Sequence, residues 1–262
     1  KKKKKVMAGF DDIQNAGDAV GGIIAQGIIP GGLEMMDSYA IIAAEDFAHA
    51  GYPKEAAALL LCEVDGTAEE VQEHIEAAES LFRSFGATSI RTSKNENERA
   101  LLWKGRKSAF PAVGRLSPDY YCMDGTIPRG QLAPVLLEME KMSKEYRLRV
   151  ANVFHAGDGN LHPLILFDAN VPGEFERTEA FGGAILTLFV EVGGCITGEH
   201  GVGIEKIRYM TTQFGDLELA QFNAIKAAFD ADGRLNPGKG VPTLRQCQEY
   251  RALERKPAKV EA

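Results

Sequence analysis

The sequence predicts an α+β fold of ferredoxin-like β-α-β units, which form a mainly antiparallel sheet with helices on one face and a helical C-terminal annex. The chain has 262 residues, of which 45% are hydrophobic, so it can bury a sizeable core. Strand, helix and strand patterns alternate through its first half, and repeated units of this size build such sheets. From Pro172 onward the pattern is mostly helical.

The first unit has a strand, a capped helix and a returning strand. A short apolar strand at 6–10 is followed by Asp11 and Asp12, which can cap a helix. This helix runs to about Gln26, and the returning strand covers 33–36.

The second unit is clearer because its helix start is marked. A buried strand at 58–64 precedes Thr67 and Glu70, which have the spacing of a capping box. Apolar and acidic residues of the following helix separate onto two faces, and a strand follows at 87–92. The next predicted elements are a strand at 120–123, a helix at 132–146, and strands at 149–155 and 161–167.

Charge and apolar pattern exclude two classes of protein. The 30 basic and 37 acidic residues give a net charge of −7, and the acidic residues are spread along the chain, so no nucleic-acid partner is expected. The most apolar stretch, 19–36, is broken by five glycines and a proline, so we expect no transmembrane segment.

The four cysteines lie 60, 73 and 52 residues apart, which favours a reducing compartment. We therefore expect a cytoplasmic protein, with membrane attachment only through a partner.

A run of lysines, Lys1 to Lys5, opens the sequence without the apolar stretch that a signal peptide needs. We expect residues 1–5 to be a linker or appended remnant outside the fold. Residues 6–262 contain no low-complexity linker, so they are expected to form one domain.

Three of the five histidines lie in two glycine-rich segments, 155–162 and 197–203. His155 and His162 flank a glycine-rich turn between two strands, so a hairpin can bring both imidazoles to one ion. Glu199 and His200 are neighbours in a stretch that we expect to be extended, where adjacent side chains point to opposite sides. One can then complete a site of two histidines and a carboxylate, which suits Zn²⁺ or Mn²⁺, while the other faces a substrate.

Each of these candidates also has a purely structural interpretation. The hairpin histidines can be hydrogen-bonded to the backbone, and Glu199 can cap a following helix. Arg106 lies between Lys104 and Lys107, which is typical of a solvated helix face.

Several motifs together resemble a known family. His155-Ala-Gly-Asp-Gly-Asn-Leu-His162 and Gly198-Glu-His-Gly-Val-Gly203 look like the paired signatures of the C-terminal domain of FAD-linked oxidases, of the glycolate oxidase, D-lactate dehydrogenase and D-2-hydroxyglutarate dehydrogenase type. Leu235-Asn-Pro-Gly-Lys239 is similar to the closing motif of that family. Two further segments, 103–106 and 120–124, also resemble it. Two long motifs in the right order make chance agreement improbable.

The resemblance implies roles for individual residues. It matches His155, His162 and Glu199 to metal ligands, and His200 to the catalytic base. It also matches Arg106 to the residue that receives the substrate carboxylate. By the same resemblance, Asn160 and Asn236 are cofactor-binding residues. Cys122 stands where the D-2-hydroxyglutarate enzymes carry a lysine, which favours a small monocarboxylate substrate.

The resemblance further implies a flavoprotein whose FAD is held mostly by an N-terminal domain that lies outside this chain. A 2-hydroxy acid must lose a hydroxyl proton and a hydride, so its oxidation needs a base, a charge partner, a carboxylate clamp and a hydride acceptor. Other subunits, an electron acceptor and a homo-oligomer are compatible with this reading. A metal-dependent hydrolase with the same His, His and Glu ligands is the alternative, and a non-catalytic binding module is a third hypothesis.

Overall fold

Residues 2–242 are described by the structure, which is a computed structural model. The strands are β1 (Lys2–Phe10), β2 (Gly32–Asp37), β3 (Ala58–Gly66), β4 (Ser89–Thr92), β5 (Asp119–Cys122), β6 (Gly125–Thr126), β7 (Arg149–His155) and β8 (Asn160–Phe167). The α-helices are α1 (Ile13–Ala25), α2 (Ser38–Ala48), α3 (Ala68–Ser84), α4 (Glu96–Lys107), α5 (Ala109–Val113), α6 (Leu132–Tyr146), α7 (Glu174–Glu191), α8 (Met210–Gln213) and α9 (Asp216–Phe229).

The strands form one antiparallel sheet in the order β4-β1-β3-β2-β7-β8-β5, with β6 paired to β8. The predicted α+β class with its mainly antiparallel sheet is therefore confirmed, as is the helical C-terminal part. Local signals account for many boundaries. Asp12 accepts a hydrogen bond at the start of α1, and Thr67 and Glu70 form the expected capping box at the start of α3.

Helices cover both faces of the sheet, whereas the sequence-based picture placed them on one. One core lies between the sheet and α1, α3, α6 and α7. A second core lies under α2, α4 and α5, and we call this side the α4 face. The cause is visible in β3, where Leu60 and Cys62 pack into the first core while Leu59 and Leu61 pack into the second. A strand that is apolar on both sides needs cover on both sides.

The lysine run belongs largely to the fold. Lys2–Lys5 begin β1 and pair with residues 63–66 of β3, so the expectation that residues 1–5 lie outside the fold is wrong for these four residues. Lys5 is fully buried on the α4 face, where its Nζ lies 3.3 Å from Glu63 and 3.1 Å from the centre of the Trp103 ring. A charge run indicates a solvated segment only when no buried partner exists elsewhere in the chain.

Two further expectations concern cysteines and membranes. Cys62, Cys122 and Cys195 are free thiols, and Cys247 lies outside the described residues. Within residues 2–242, no helix combines the length and the apolar composition that crossing a membrane requires.

Candidate metal and substrate site

The β7–β8 hairpin places two histidines side by side. His155 ends β7 opposite Asn160, and His162 lies on β8 opposite Val153. The two rings are thus diagonal neighbours on the α4 face, with centroids 5.3 Å apart and nearly perpendicular planes. The turn between them needs Gly159, which has φ of 71° and where a Cβ atom would lie 2.2 Å from the Ile127 carbonyl oxygen.

Asp124 shapes the segment that carries Glu199 and His200. Its buried carboxylate accepts backbone N–H bonds from Gly198, Glu199 and His200, at 2.8 to 3.2 Å. Three consecutive amides can converge on one carboxylate only if the backbone bends around it, as in an anion-binding nest. The segment is therefore not extended, and the expectation that Glu199 and His200 face opposite sides is wrong. His200 Nε2 lies 3.9 Å from Glu199 Oε1, so both side chains reach the same place.

His155, His162 and Glu199 converge, with one potential ligand atom from each within 4.8 Å of the others. Glu199 Oε1 lies 3.0 Å from His162 Nε2 and 3.6 Å from His155 Nε2. Both ring nitrogens of His162 are buried, and neither makes a hydrogen bond of good geometry within residues 2–242, although Nε2 lies close to the Glu199 carboxylate. A buried nitrogen without a partner is costly, and a metal ion beside it would remove that cost. The two imidazoles and the carboxylate therefore fit Zn²⁺ or Mn²⁺.

Asp124, His162 and His200 form a second group with metal-ligand geometry. Asp124 already accepts the three amide bonds, a hydroxyl bond from Thr197 at 2.9 Å, and a contact from the Lys206 ammonium at 3.3 Å. Burial alone would raise the pKa of Asp124, but the amides of His200 and Gly198 and the charge of Lys206 outweigh it and hold that pKa well below its usual range. A carboxylate so fully engaged anchors the loop better than it would ligate an ion.

Glu34 connects Arg106 to His155, and we call these three residues the Glu34 cluster. Arg106 donates from Nε to Glu34 Oε2 at 3.0 Å, and its Nη2 lies 2.8 Å from the same oxygen. His155 Nδ1 lies 3.0 Å from Glu34 Oε1. Arg106 is only 7% exposed, so the solvated-face interpretation of this residue is wrong. Neither Glu34 nor Asp124 was singled out from the sequence, although an isolated glutamate in the apolar strand 32–37 is a signal that could have been followed.

Comparison with known proteins identifies the family. Residues 1–240 match the family of FAD linked oxidases, C-terminal domain. The chain belongs to this family.

Relatives of the domain include glycolate oxidase subunits. The chain is 61% identical over 248 residues to "Glycolate oxidase subunit GlcD" of Escherichia coli (strain K12), covering 95% of this chain and 50% of that protein. It is 38% identical over 237 residues to the subunit of the same name from Bacillus subtilis (strain 168), covering 90% and 50%. A solved structure of p-cresol methylhydroxylase with substrate bound shares the fold, with a TM-score of 0.70 at 16% identity over 93% of this chain and 53% of that one. The chain thus spans about half the length of the relatives it matches.

The electrostatics of this FAD-linked oxidase domain separate its two hairpin histidines. The hydrogen bond to Glu34 raises the pKa of His155, although burial opposes the shift. Burial lowers the pKa of His162 and outweighs the nearby carboxylate of Asp124. His162 therefore stays neutral near pH 7, as a metal ligand must.

The two asparagines of the FAD-linked oxidase motifs lie in different surroundings. Asn160 is buried at the start of β8, and its side-chain oxygen has no hydrogen-bond partner among the described residues. It packs so closely on Gly198 that a Cβ there would lie 2.2 Å from that oxygen. Asn236 lies on the exposed loop after α9 in a left-handed conformation, and its backbone carbonyl accepts a hydrogen bond from Lys239. The structure therefore brings Asn160 next to the second histidine segment, and the loop that carries Asn236 reaches the same segment through Gly240, whose N–H donates to the Gly203 carbonyl at 2.8 Å.

A Rossmann-type cradle for the FAD of the family name is absent from the described part of the chain. Binding of a dinucleotide pyrophosphate commonly uses a strand, a G-x-G-x-x-G turn and a helix N-terminus. None of the strand-to-helix connections within residues 2–242 contains that glycine pattern.

Proposed function

We propose that this chain is the substrate- and metal-binding half of a flavin-dependent 2-hydroxy acid oxidoreductase of the glycolate or D-lactate type. The observation that carries the proposal is the convergence of two imidazoles and a carboxylate around His162, beside a further histidine and a buried arginine. The family and the names of the relatives support the reaction class and favour glycolate among its substrates.

His155, His162 and Glu199 would hold the divalent ion, Zn²⁺ or Mn²⁺. When bound, such an ion lowers the pKa of a substrate hydroxyl and stabilises the alkoxide that forms. The buried ring of His162 is fixed by β8, while Glu199 is held by the loop around Asp124.

His200 would take the hydroxyl proton. Its ring centroid lies 5.0 Å from that of His162, and its side chain is 47% exposed, so a substrate can reach it. A neutral imidazole is the usual general base near pH 7.

Arg106 would bind the substrate carboxylate. Its contacts with Glu34 use Nε and Nη2, which leaves Nη1 for a second carboxylate. Cys122 pairs with Leu164 on the strand that carries His162, and a neutral thiol there adds no second cationic clamp. This arrangement favours a small monocarboxylate over a dicarboxylate.

FAD, when bound, supplies the hydride acceptor for this reaction class. We propose that most of its contacts, including any through Asn236, depend on an FAD-binding domain like the one that the resemblance implies. The name "subunit" carried by the relatives supports assembly with other subunits, and a cytoplasmic location is part of the same proposal. No observation of its own favours the metal-dependent hydrolase.

The metal is the part of this proposal that the chain can test alone. Protein purified without chelator and then loaded separately with Zn²⁺ and Mn²⁺ is assayed by elemental analysis after gel filtration. We expect close to one ion per chain, its loss in His162→Ala, and its retention in His74→Ala, a control on the distant helix α3. A wild-type chain that retains neither ion would contradict the metal site.

A further inference from the structure

We propose that Glu34 is a positioning residue that fixes His155 for metal binding and Arg106 for substrate binding at the same time. The inference rests on the proposed function, because it assigns these two partners their roles. Glu34 itself is 7% exposed and lies in the middle of the sheet, on β2 between β3 and β7. Neither the family motifs nor the resemblance assigns it any role.

The hydrogen-bonding capacities of Arg106 and Glu34 determine which atom donates in the hydrogen bond between Glu34 and His155. Arg106 is always charged and has only donors, and its two contacts with Glu34 form a buried ion pair in which Glu34 is the ionised acceptor. An ionised carboxylate can only accept, so His155 must donate from Nδ1 to Oε1. In the neutral imidazole, which is the form that binds a metal ion, the proton on Nδ1 leaves the lone pair on Nε2, the nitrogen that lies 3.6 Å from Glu199. Glu34 thereby selects the tautomer that can bind the ion.

The same carboxylate sets the distance between the two substrate-binding elements. Oε2 holds the guanidinium of Arg106, and the imidazole Nδ1 of His155 lies 3.0 Å from both carboxylate oxygens. A 2-hydroxy acid carries its carboxylate and hydroxyl on adjacent carbons, so its clamp and its metal must keep a short, fixed separation. One buried side chain shared by both is a rigid way to keep it.

Glu63 offers a matched control on the same side of the sheet. It is 5% exposed on β3, accepts hydrogen bonds from Arg99 at 2.6 Å and Trp103 at 2.7 Å, and lies 3.3 Å from Lys5. We call these four residues the Glu63 cluster. Glu63→Gln disturbs a buried glutamate and its arginine as Glu34→Gln does, but it touches no histidine.

The experiment compares the wild-type chain with Glu34→Gln and Glu63→Gln. Zinc affinity is measured by competition with a chromophoric chelator at fixed pH, and histidine tautomers are assigned by ¹⁵N NMR on the metal-free protein. The glutamine amide can donate to His155 Nδ1, which moves the proton to Nε2. We expect Glu34→Gln to weaken zinc binding by about 10- to 100-fold and to populate the Nε2–H tautomer of His155. Glu63→Gln should leave both readouts as in the wild type.

Three outcomes would overturn the role of Glu34. They are an unchanged tautomer and affinity in Glu34→Gln, equal losses of affinity in both variants, and an Nε2–H tautomer already dominant in the wild type. If Glu34→Gln does not fold, Glu34→Asp retains the negative charge and should retain the Nδ1–H tautomer, and its failure to do so would count against the proposal. Wild-type protein that binds no zinc would contradict the metal site, while the tautomer would still decide the role of Glu34.

Discussion

Two buried glutamates on neighbouring strands of the α4 face are built alike. Glu63 on β3 and Glu34 on β2 each receive an arginine from helix α4. The arginines, Arg99 and Arg106, are seven residues apart, which is two helical turns, so one side of α4 serves both. Glu63 also contacts Lys5 and, at 3.8 Å, Lys3 on the neighbouring strand β1, and Glu34 contacts His155 on the neighbouring strand β7.

The two glutamates differ in whether their other partners have a second polar atom that is free to contact something else. Lys5 and Trp103 have donors only, and each directs its single nitrogen at Glu63, so neither has a polar atom left for another partner. His155 uses one nitrogen for Glu34 and presents the other toward Glu199. The comparison indicates that a buried ion pair becomes part of a site when one of its members has a second functional atom pointing elsewhere.

The largest expected effect comes from removing the base beside the Glu34 cluster. In a full-length protein that includes an FAD-binding domain, we expect His200→Ala to lower kcat by about 10²- to 10⁴-fold with a smaller change in KM, because the proton leaves the hydroxyl only as the reaction proceeds. Steady-state kinetics with glycolate and with D-lactate provide the measurement, and His74→Ala is the control.

Metal content must be measured in the same preparations, because His200 shares its surroundings with Glu199 and His162. Loss of the ion in His200→Ala would show that His200 is a metal ligand, as in the group of Asp124, His162 and His200, and not the base. Retained ion with unchanged kcat would remove it from the mechanism.

The two arginines of α4 give the next largest contrast. Arg106→Met should raise KM for a 2-hydroxy acid by about 10- to 100-fold, since a hydrogen bond to a charged group contributes roughly 1.5 to 3 kcal/mol, and kcat should change less. Arg99→Met removes an equivalent arginine from the Glu63 cluster and should leave KM unchanged. An equal rise in both variants would show that the effect comes from disturbing α4 and not from losing a carboxylate clamp.

The sequence predicted the parts of this site that depend on local signals. The hairpin with His155 and His162 follows from a glycine-rich turn between two strands, and the start of α3 follows from the spacing of Thr67 and Glu70. These features involve residues fewer than ten positions apart, so the pattern of residue types is enough to find them.

Features that depend on distant partners could not be predicted in this way. The bend that turns Glu199 and His200 to one side is imposed by Asp124, more than 70 residues earlier in the chain. Glu34 meets Arg106 and His155 only after β2 is placed beside β7. The helices of the α4 face could have been expected, because 58–62 of β3 is apolar without alternation.

Replacing Lys5 is expected to have the smallest effect, and it tests the Glu63 cluster directly. Its ammonium is fully buried, has no hydrogen-bond partner among residues 2–242, and lies over Trp103. Glu63 has two closer donors in Arg99 and Trp103, so it does not depend on Lys5 for its neutralisation. We expect Lys5→Met to stabilise the chain by about 1 to 3 kcal/mol at pH 6, because it removes the cost of burying the ammonium while Arg99 still neutralises Glu63. Lys3→Met, at an exposed position 3.8 Å from Glu63, should change stability little.

The gain from Lys5→Met should depend on pH with a definite sign. Burial lowers the pKa of Lys5 from 10.5 to about 7 in the folded chain, against the raising effect of Glu63. Below pH 7 both the folded and the unfolded chain carry the charge, and the folded state bears its full cost. Between pH 7 and 10.5 only the unfolded chain keeps the proton, so the wild type gains stability and the advantage of the variant should shrink. Urea unfolding of the wild type and the variant at pH 6 and pH 9 measures this difference in the free energy of unfolding. A difference that stays constant or widens at pH 9 would show that Lys5 is not a buried charge in the Glu63 cluster.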